Sequence, residues 1–256
     1  MLPKSFDIIG NIAILKFKDK KTKAQKQKIA QNLIKKHKTI TTVLEKSDKV
    51  RGRLRTIKTK YLAGEKTTLA TYKENNCIFK LDVEKTYFSP RLSNERKEIA
   101  QQVKKNEKVL VMFAGVAPYS IVIAKLAKPK IVYSNEINKI ASKYAEQNVR
   151  INRTFNVEII QGDIKRITPK LKTKFNRIVM PRPQLKDTFL PQAFKLIKKA
   201  GTINYYGFGK DYEIILNQIN EQAKKAKKKI KILKIKKAGD IAPYKYRWRV
   251  DLRVVN

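Results

Sequence analysis

Val109-Leu110-Val111-Met112-Phe113-Ala114-Gly115-Val116-Ala117-Pro118 is an apolar run that ends in small residues and then meets a proline. A run of that kind, closed by a small-residue turn and followed by a helix, is how an α/β sheet presents a nucleotide-like cofactor. Ala114, Gly115 and Ala117 let the backbone approach a ligand closely, and Pro118 suits a first helical turn. About twenty residues on, Ser134-Asn135-Glu136 closes a second apolar run, at the spacing where a carboxylate grips both hydroxyls of a ribose. A third such end is Gln161-Gly162-Asp163-Ile164, where the acid can accept from an adenine amino group and the next residue can pack on the ring. Only one glycine lies in the first turn, where a dinucleotide site wants three, which disfavours NAD. Taken singly, each piece has a plainer reading: an ordinary βα turn, and for Glu136 a helix-N-terminal acid favoured by the dipole. Three of them at successive strand ends converge on one crevice.

Outward from this turn the same rhythm repeats. Strands are predicted at 108–113, 130–134, 157–161, 177–180 and 202–207, and helices at 91–104, 118–127, 139–151, 187–197 and 212–228. Such alternation implies a parallel, doubly wound sheet. Two last runs, 230–236 and 247–254, follow one another without a helix and should pair antiparallel at the sheet's end. Five alternating strands plus an antiparallel pair is the α/β layout of a class I S-adenosylmethionine-dependent methyltransferase domain with a seven-stranded sheet, here over 89–256. Residues 1–88 read differently, as a small α+β domain expected to bind RNA and assist catalysis. They hold a hairpin around Gly10-Asn11, a Lys/Gln-rich helix over 22–37, and strands at 41–44, 54–62, 68–72 and 77–83.

The charge balance narrows the partner. Lys and Arg number 60 against 21 Asp and Glu, a net charge of +39. Codon bias toward Lys, Ile and Asn accounts for part of the excess. Heat adaptation would raise Glu together with Lys, and Glu is not raised. The remaining cationic surplus suits a polyanion, which in a soluble protein means nucleic acid. The 224–231 lysine run reads as a solvated helix end or a phosphate contact. Cys77 is the only cysteine, which excludes a disulfide framework or thiolate metal cluster, and no metal site is expected. His37 is the only histidine and sits in a Lys-rich helix, a poor place for a triad. No signal peptide is visible and no apolar run reaches ~18 residues, so the chain is expected to be cytoplasmic and free of membrane.

The motifs together resemble those of the archaeal-eukaryotic tRNA (guanine-N1)-methyltransferases that act at tRNA position 37, including their archaeal wyosine-pathway branch. Ser89-Pro90-Arg91-Leu92-Ser93-Asn94-Glu95-Arg96 is similar to the family's S-P-R-L-x-x-E-R, and Met112 to Pro118 to its M-F-A-G-V-G-P loop. Glu136-Ile137-Asn138 resembles E-x-N, and Tyr144-Ala145-Glu146-Gln147-Asn148 resembles Y-x-x-E-N. The opening Pro3 to Gly10 and the closing Ala242-Pro243 with Trp248 to Val254 match as well. The resemblance implies S-adenosylmethionine held by Arg96, Phe113, Ala114, Gly115, Val116, Ala117, Glu136, Ile137, Asp163 and Ile164. It implies Glu95 as the base that strips a purine ring proton, against the competing reading of a capping or salt-bridging acid. It implies tRNA as partner, through the anticodon arm and with tRNA-Phe as the expected species, and a monomer.

The departures from the family pattern are as informative. Lys73 stands where the family has an arginine that hydrogen-bonds the purine O6, and a lysine keeps the charge but loses the planar fork. Pro181-Arg182-Pro183 stands where an asparagine of an N-L-P or N-P-P motif orients the base. Val111 replaces an acid, Ala117 replaces the loop's second glycine, and no counterpart of the elbow-recognising N-terminal domain of longer members is expected. With Glu95, Lys73 and Pro181 as the candidate catalytic set, methylation of a ring carbon of 4-demethylwyosine is expected, and N1 methylation of guanosine beside it. The alternatives are the aminocarboxypropyl transferase of the same pathway and a basic RNA-binding protein without activity. Tyr72, Tyr87, Phe88 and Tyr119 are candidates for stacking on the purine, with core packing expected for at least two of them.

Overall fold

A computed structural model describes residues 6–17, 21–47, 52–181 and 184–256. The matches at Pro3-Lys4-Ser5 and Arg182-Pro183 lie outside the described residues. The N-terminal part is a four-stranded sheet, β1 (Phe6–Ile9), β2 (Ile12–Leu15), β3 (Thr42–Lys46) and β4 (Thr59–Gly64), in that spatial order. Helix α1 (Lys23–Lys36) crosses between the parallel pair β2 and β3 and starts at a capping box built by Thr22 and Gln25. Gly10 makes the β1–β2 turn at φ +58°, and a Cβ there would lie 1.8 Å from the Thr71 carbonyl oxygen, so only glycine fits.

That close approach brings a separate hairpin, β5 (Leu69–Glu74) and β6 (Cys77–Asp82), against the sheet; Asn11 Oδ1 accepts from the Thr71 N–H at 2.9 Å. Helix α2 (Ser93–Gln102) follows a single 3-10 turn over Pro90–Leu92. The large domain then runs β7 (Lys108–Met112), α3 (Pro118–Ala127), β8 (Ile131–Glu136), α4 (Lys139–Asn152), β9 (Val157–Gln161), α5 (Ile164–Ile167), β10 (Phe175–Met180), α6 (Leu190–Leu196), β11 (Ile197–Gly209), α7 (Glu213–Lys225), β12 (Ile230–Ala242) and β13 (Lys245–Val254). Spatial order is β12-β13-β11-β10-β7-β8-β9, parallel except for β13, which pairs antiparallel with both β11 and β12. The seven-stranded doubly wound sheet expected from the sequence is present.

Strand alternation divides the core. Val109, Val111 and Val179 face one apolar cluster with Ile99 of α2 and Ile121 of α3, while Leu110, Met112, Ile178 and Met180 face another with Phe194 of α6 and Ile219 of α7. The free edge of β6 is closed by side chains. Asn152 Oδ1 accepts from the Ile78 N–H at 2.8 Å and its amide donates to the Ile78 carbonyl at 2.6 Å. Asn148 repeats the pattern at Lys80, accepting at 2.8 Å and donating at 3.1 Å, and also donates to the Val116 carbonyl at 3.2 Å. Four helical residues rise about 6 Å and two strand residues about 6.8 Å, so asparagines at i and i+4 meet alternate strand residues. The Asn148 of the Y-x-x-E-N motif is therefore a clamp joining the hairpin, α4 and the loop after β7.

Several predicted boundaries shift, and two of the shifts have a visible backbone cause. The 54–62 strand begins only at Thr59, because Gly52 and Arg55 are left-handed and hold residues 52–55 in a turn. The 187–197 helix begins only at Leu190, after Phe189 at φ +56°. Among the described residues no helix is long and apolar enough to cross a membrane.

Candidate active site

The spatial order reverses between β7 and β10, and the crevice outside their carboxyl ends is where an open α/β sheet binds ligands. Phe113, Gly115 and Ala117 have φ of +58°, +58° and +65°, so the loop leaving β7 is left-handed at every second residue. That geometry aims the Gly115 N–H at Glu136 Oε2, 2.7 Å away, while the Asn138 N–H donates to Oε1 at 2.7 Å. Asn138 also caps α4 and donates to the Lys85 carbonyl at 2.8 Å, and Asn135 ties the ends of β8 and β9 by donating to Ile160 and Gly162 carbonyls. Burial raises the Glu136 carboxyl above the usual range, opposed by the N–H groups of Asn138, Gly115 and Ile137.

Phe113, Gly115, Glu136, Ile137 and Pro181 line this crevice together. Ala114, Val116 and Ala117 are buried behind it and shape the loop rather than its wall. Asp163 caps α5 and pairs with Arg53 at 2.8 Å; burial would raise its carboxyl, but the Lys165 N–H and Arg53 together hold it below the usual range. Ile164 is only 2% exposed and joins the core with Met112 and Phe175, so it does not present a face for an adenine ring as the sequence suggested; the cap at Asp163 turns it inward. S-adenosylmethionine fits the groups present. Glu136 keeps lone pairs for a ribose diol after its two N–H bonds, and Gly115 puts no side chain on the crevice wall beside it.

Glu95 lies in a buried polar network under α2. Its Oε1 accepts from the Tyr206 hydroxyl at 2.8 Å and from Arg249, and its Oε2 lies 3.4 Å from Lys236. Glu98 binds the same two cations, and Asp251 lies 3.1 Å from Arg249 Nε. For Lys236, burial opposes the charge, but Glu98 and Glu95 outweigh it and raise the ammonium above its usual range. The salt-bridging partners of Glu95 are thus Arg249 and Lys236, not the neighbouring Arg91 and Arg96. Oε2 has a single, longer contact, to Lys236.

Arg96 is held by both oxygens of Glu74 and donates to the Ser89 carbonyl at 3.1 Å, pinning the β5–β6 hairpin to α2. Its contacts are those of a strut, and the sequence reading placed it at the cofactor instead. Lys73 is exposed on β5, opposite Ile78, and is not among the residues that line the crevice. Phe88 and Tyr119 are core residues, and burial raises the Tyr119 hydroxyl to about 12. Tyr72 packs on Phe88 at 5.0 Å, which leaves Tyr87 as the one of the four stacking candidates on the crevice. Burial pushes the Cys77 thiol up to about 11, so it is no nucleophile. Sequence reasoning missed Arg53, Arg55, Glu74 and Arg249. The Arg-Gly-Arg-Leu-Arg pattern at 51–55 was the available signal for the first two, since glycine between arginines reads as a turn.

Residues 70–233 match the family described as the TRM5/TYW2 methyltransferase domain, and residues 1–67 match the TYW2 N-terminal domain. The chain belongs to the TRM5/TYW2 methyltransferase family. Its cofactor is S-adenosylmethionine, as the resemblance implied. It is 39% identical over 256 residues to the tRNA (guanine(37)-N(1))-methyltransferase Trm5b of Pyrococcus abyssi, covering 99% of this chain and 76% of that one. It is 35% identical to the tRNA (guanine(37)-N(1))/4-demethylwyosine(37)-methyltransferase Taw22 of Nanoarchaeum equitans, covering 98% of this chain and 100% of that protein. Among solved structures, the complex of aTrm5 with tRNALeu superimposes with a TM-score of 0.88 at 29% identity, over 100% of this chain and 73% of that one. The TYW2 of Methanocaldococcus jannaschii in complex with AdoMet superimposes with a TM-score of 0.73 at 26% identity, over 98% and 100%.

Proposed function

We propose that this TRM5/TYW2 family member methylates the purine at position 37 of tRNA, with a ring carbon of 4-demethylwyosine in tRNA-Phe as its acceptor and guanosine N1 as a second one. The observation that carries the preference is Pro181 on the crevice wall beside Phe113 and Gly115, where a side-chain donor would orient a guanine. Proline has no such donor. Guanine N1 chemistry needs the N1 proton removed and charge on O6 stabilised, whereas attack by the fused-ring carbon does not begin with that proton. The similarity to Taw22 along its whole length, a protein named for both acceptors, agrees with this reading.

S-adenosylmethionine bound in the crevice supplies an electrophilic methyl group. Glu136 accepts from the ribose hydroxyls, Asp163 from the adenine amino group once Arg53 shares it, and the Phe113–Ala117 loop holds the methionine end. Glu95 Oε2 receives the ring proton when N1 is the acceptor, with Arg249 and Tyr206 holding the carboxylate in place. Residues 1–88 act as a small RNA-binding domain before the 89–256 catalytic domain, and the chain works as a cytoplasmic monomer. The net charge of +39 favours phosphate contacts, and the anticodon arm carries the recognition by this chain.

The test is mass analysis of nucleoside 37 after incubation with S-adenosylmethionine, on tRNA-Phe carrying 4-demethylwyosine and on an unmodified transcript. Methylation of the tricyclic substrate is expected. Robust methylation of guanosine with none on the tricyclic base would refute the preference. An aminocarboxypropyl mass gain would move the chain to the other branch of the family.

A further inference from the structure

A second cavity, of about 390 Å³, lies beside the cofactor crevice, and the two share Arg55 and Tyr87 as a common wall. Its size suits a nucleoside-sized guest. Arg91, Arg247 and Lys46 also line it, and Phe208 sits 5.6 Å from the Arg247 guanidinium. Arg55 and Tyr87 form a unit, the guanidinium carbon lying 3.7 Å from the ring centroid. Among the described residues no carboxylate pairs with Arg55, although it is half-buried. Its backbone is left-handed at φ +57°, a conformation that non-glycine residues adopt at a cost and that concentrates at functional sites. The turn that imposes this geometry is the one that displaced the predicted start of β4.

We propose that Arg55 is a substrate-binding residue: stacked on Tyr87, its guanidinium offers its other face to the acceptor purine. Base, guanidinium and phenol ring then form one column at the boundary between the two cavities. This inference rests on the tRNA reading above. Arginine suits the role because its guanidinium is planar, permanently charged and weakly hydrated, so it stacks on rings at both faces. Unpaired RNA bases are held by such planes. The column also accounts for the arginine that lies on Tyr87, the one stacking candidate of the four that lines the crevice.

The experiment compares wild type, Arg55→Ala, Arg55→Lys and Tyr87→Ala on tRNA-Phe, with S-adenosylhomocysteine binding by calorimetry as the control for folding. Arg55→Ala should lower kcat/KM for tRNA roughly tenfold or more, the scale of one lost base stack, with S-adenosylhomocysteine affinity unchanged. Arg55→Lys should keep the salt dependence of tRNA binding, since the charge remains, yet stay slow in kcat because lysine has no plane. Tyr87→Ala removes the ring that holds the guanidinium in place and should lower kcat/KM in the same direction as Arg55→Ala. Full restoration of kcat by lysine would overturn the proposal in favour of charge alone. A parallel fall of S-adenosylhomocysteine affinity in Arg55→Ala would overturn it in favour of a cofactor contact. An active wild type with a normal Arg55→Ala refutes this inference only, whereas a wild type inactive on every tRNA refutes the parent reading and this one with it.

Discussion

Asn148→Ala should be among the most destabilising single polar substitutions in this chain. Asn148 is fully buried and makes three hydrogen bonds, one accepted from the Lys80 N–H at 2.8 Å and two donated to the Lys80 and Val116 carbonyls at 3.1 and 3.2 Å. Alanine removes the side-chain partner of all three backbone groups, with the Val116 carbonyl fully buried. At about 1 kcal/mol for each bond the loss is about 3 kcal/mol, a large part of the 5–15 kcal/mol that holds a typical protein folded. In a domain of this size the same loss lowers Tm by about 6–12 °C. Denaturant unfolding measures it directly, and exchange of the Lys80 amide should speed up in step. Asn148→Asp is a sharper variant. It keeps an acceptor for the Lys80 N–H but turns oxygen toward two carbonyls, so it should cost more than alanine. A loss below about 1 kcal/mol for alanine, or an aspartate better tolerated than alanine, would refute the strand-edge account.

Other substitutions test the site and its supports. Ala117 is left-handed at φ +65° and buried, so Ala117→Gly should leave stability within about 1 kcal/mol, relief of the backbone offsetting the lost methyl group, while Ala117→Val should cost about 2 kcal/mol or more. A glycine variant as damaged as the valine one would contradict this. Arg249→Met strips the buried partner from Glu95 and Asp251 and should cost about 3–5 kcal/mol in urea unfolding, and a neutral result would contradict Arg249 as the support of this network. For Glu136, the folded carboxyl is raised, so the native state takes up a proton before the unfolded chain does, and the stability this group costs at neutral pH is regained as pH falls through the raised value. Cofactor binding runs the other way, because ribose hydroxyls need the ionised acceptor. S-adenosylhomocysteine affinity should therefore begin to fall above the ordinary glutamate range of about 4.3 and lose its pH dependence in Glu136→Gln, and a midpoint at or below that range would contradict the desolvated site.

Much of the fold was legible because its signals are local. The 109–118 run, the Glu136 spacing and the strand-helix alternation each report burial and turn chemistry within a few residues, and all three match the sheet and its crevice. Long-range pairings were not legible. Arg53 meets Asp163 across 110 residues, and Arg249 meets Glu95 across 154, so nothing near either arginine identified its carboxylate. Arg96 illustrates the limit of motif reading. Its neighbours suggested the cofactor, while its guanidinium is satisfied by Glu74 on a hairpin that the sequence placed only as two strands. Ile164 failed for a related reason, since one residue past a helix cap the side chain's direction depends on the cap geometry and not on residue type.

The most direct test of the central claim is the mass of nucleoside 37 in tRNA-Phe bearing 4-demethylwyosine after reaction with S-adenosylmethionine, set beside a Glu136→Ala control. The account predicts the gain of one methyl group on the tricyclic base with the wild-type chain and a strongly reduced gain with the control. No gain on either the tricyclic base or guanosine, with S-adenosylhomocysteine binding intact, would contradict it.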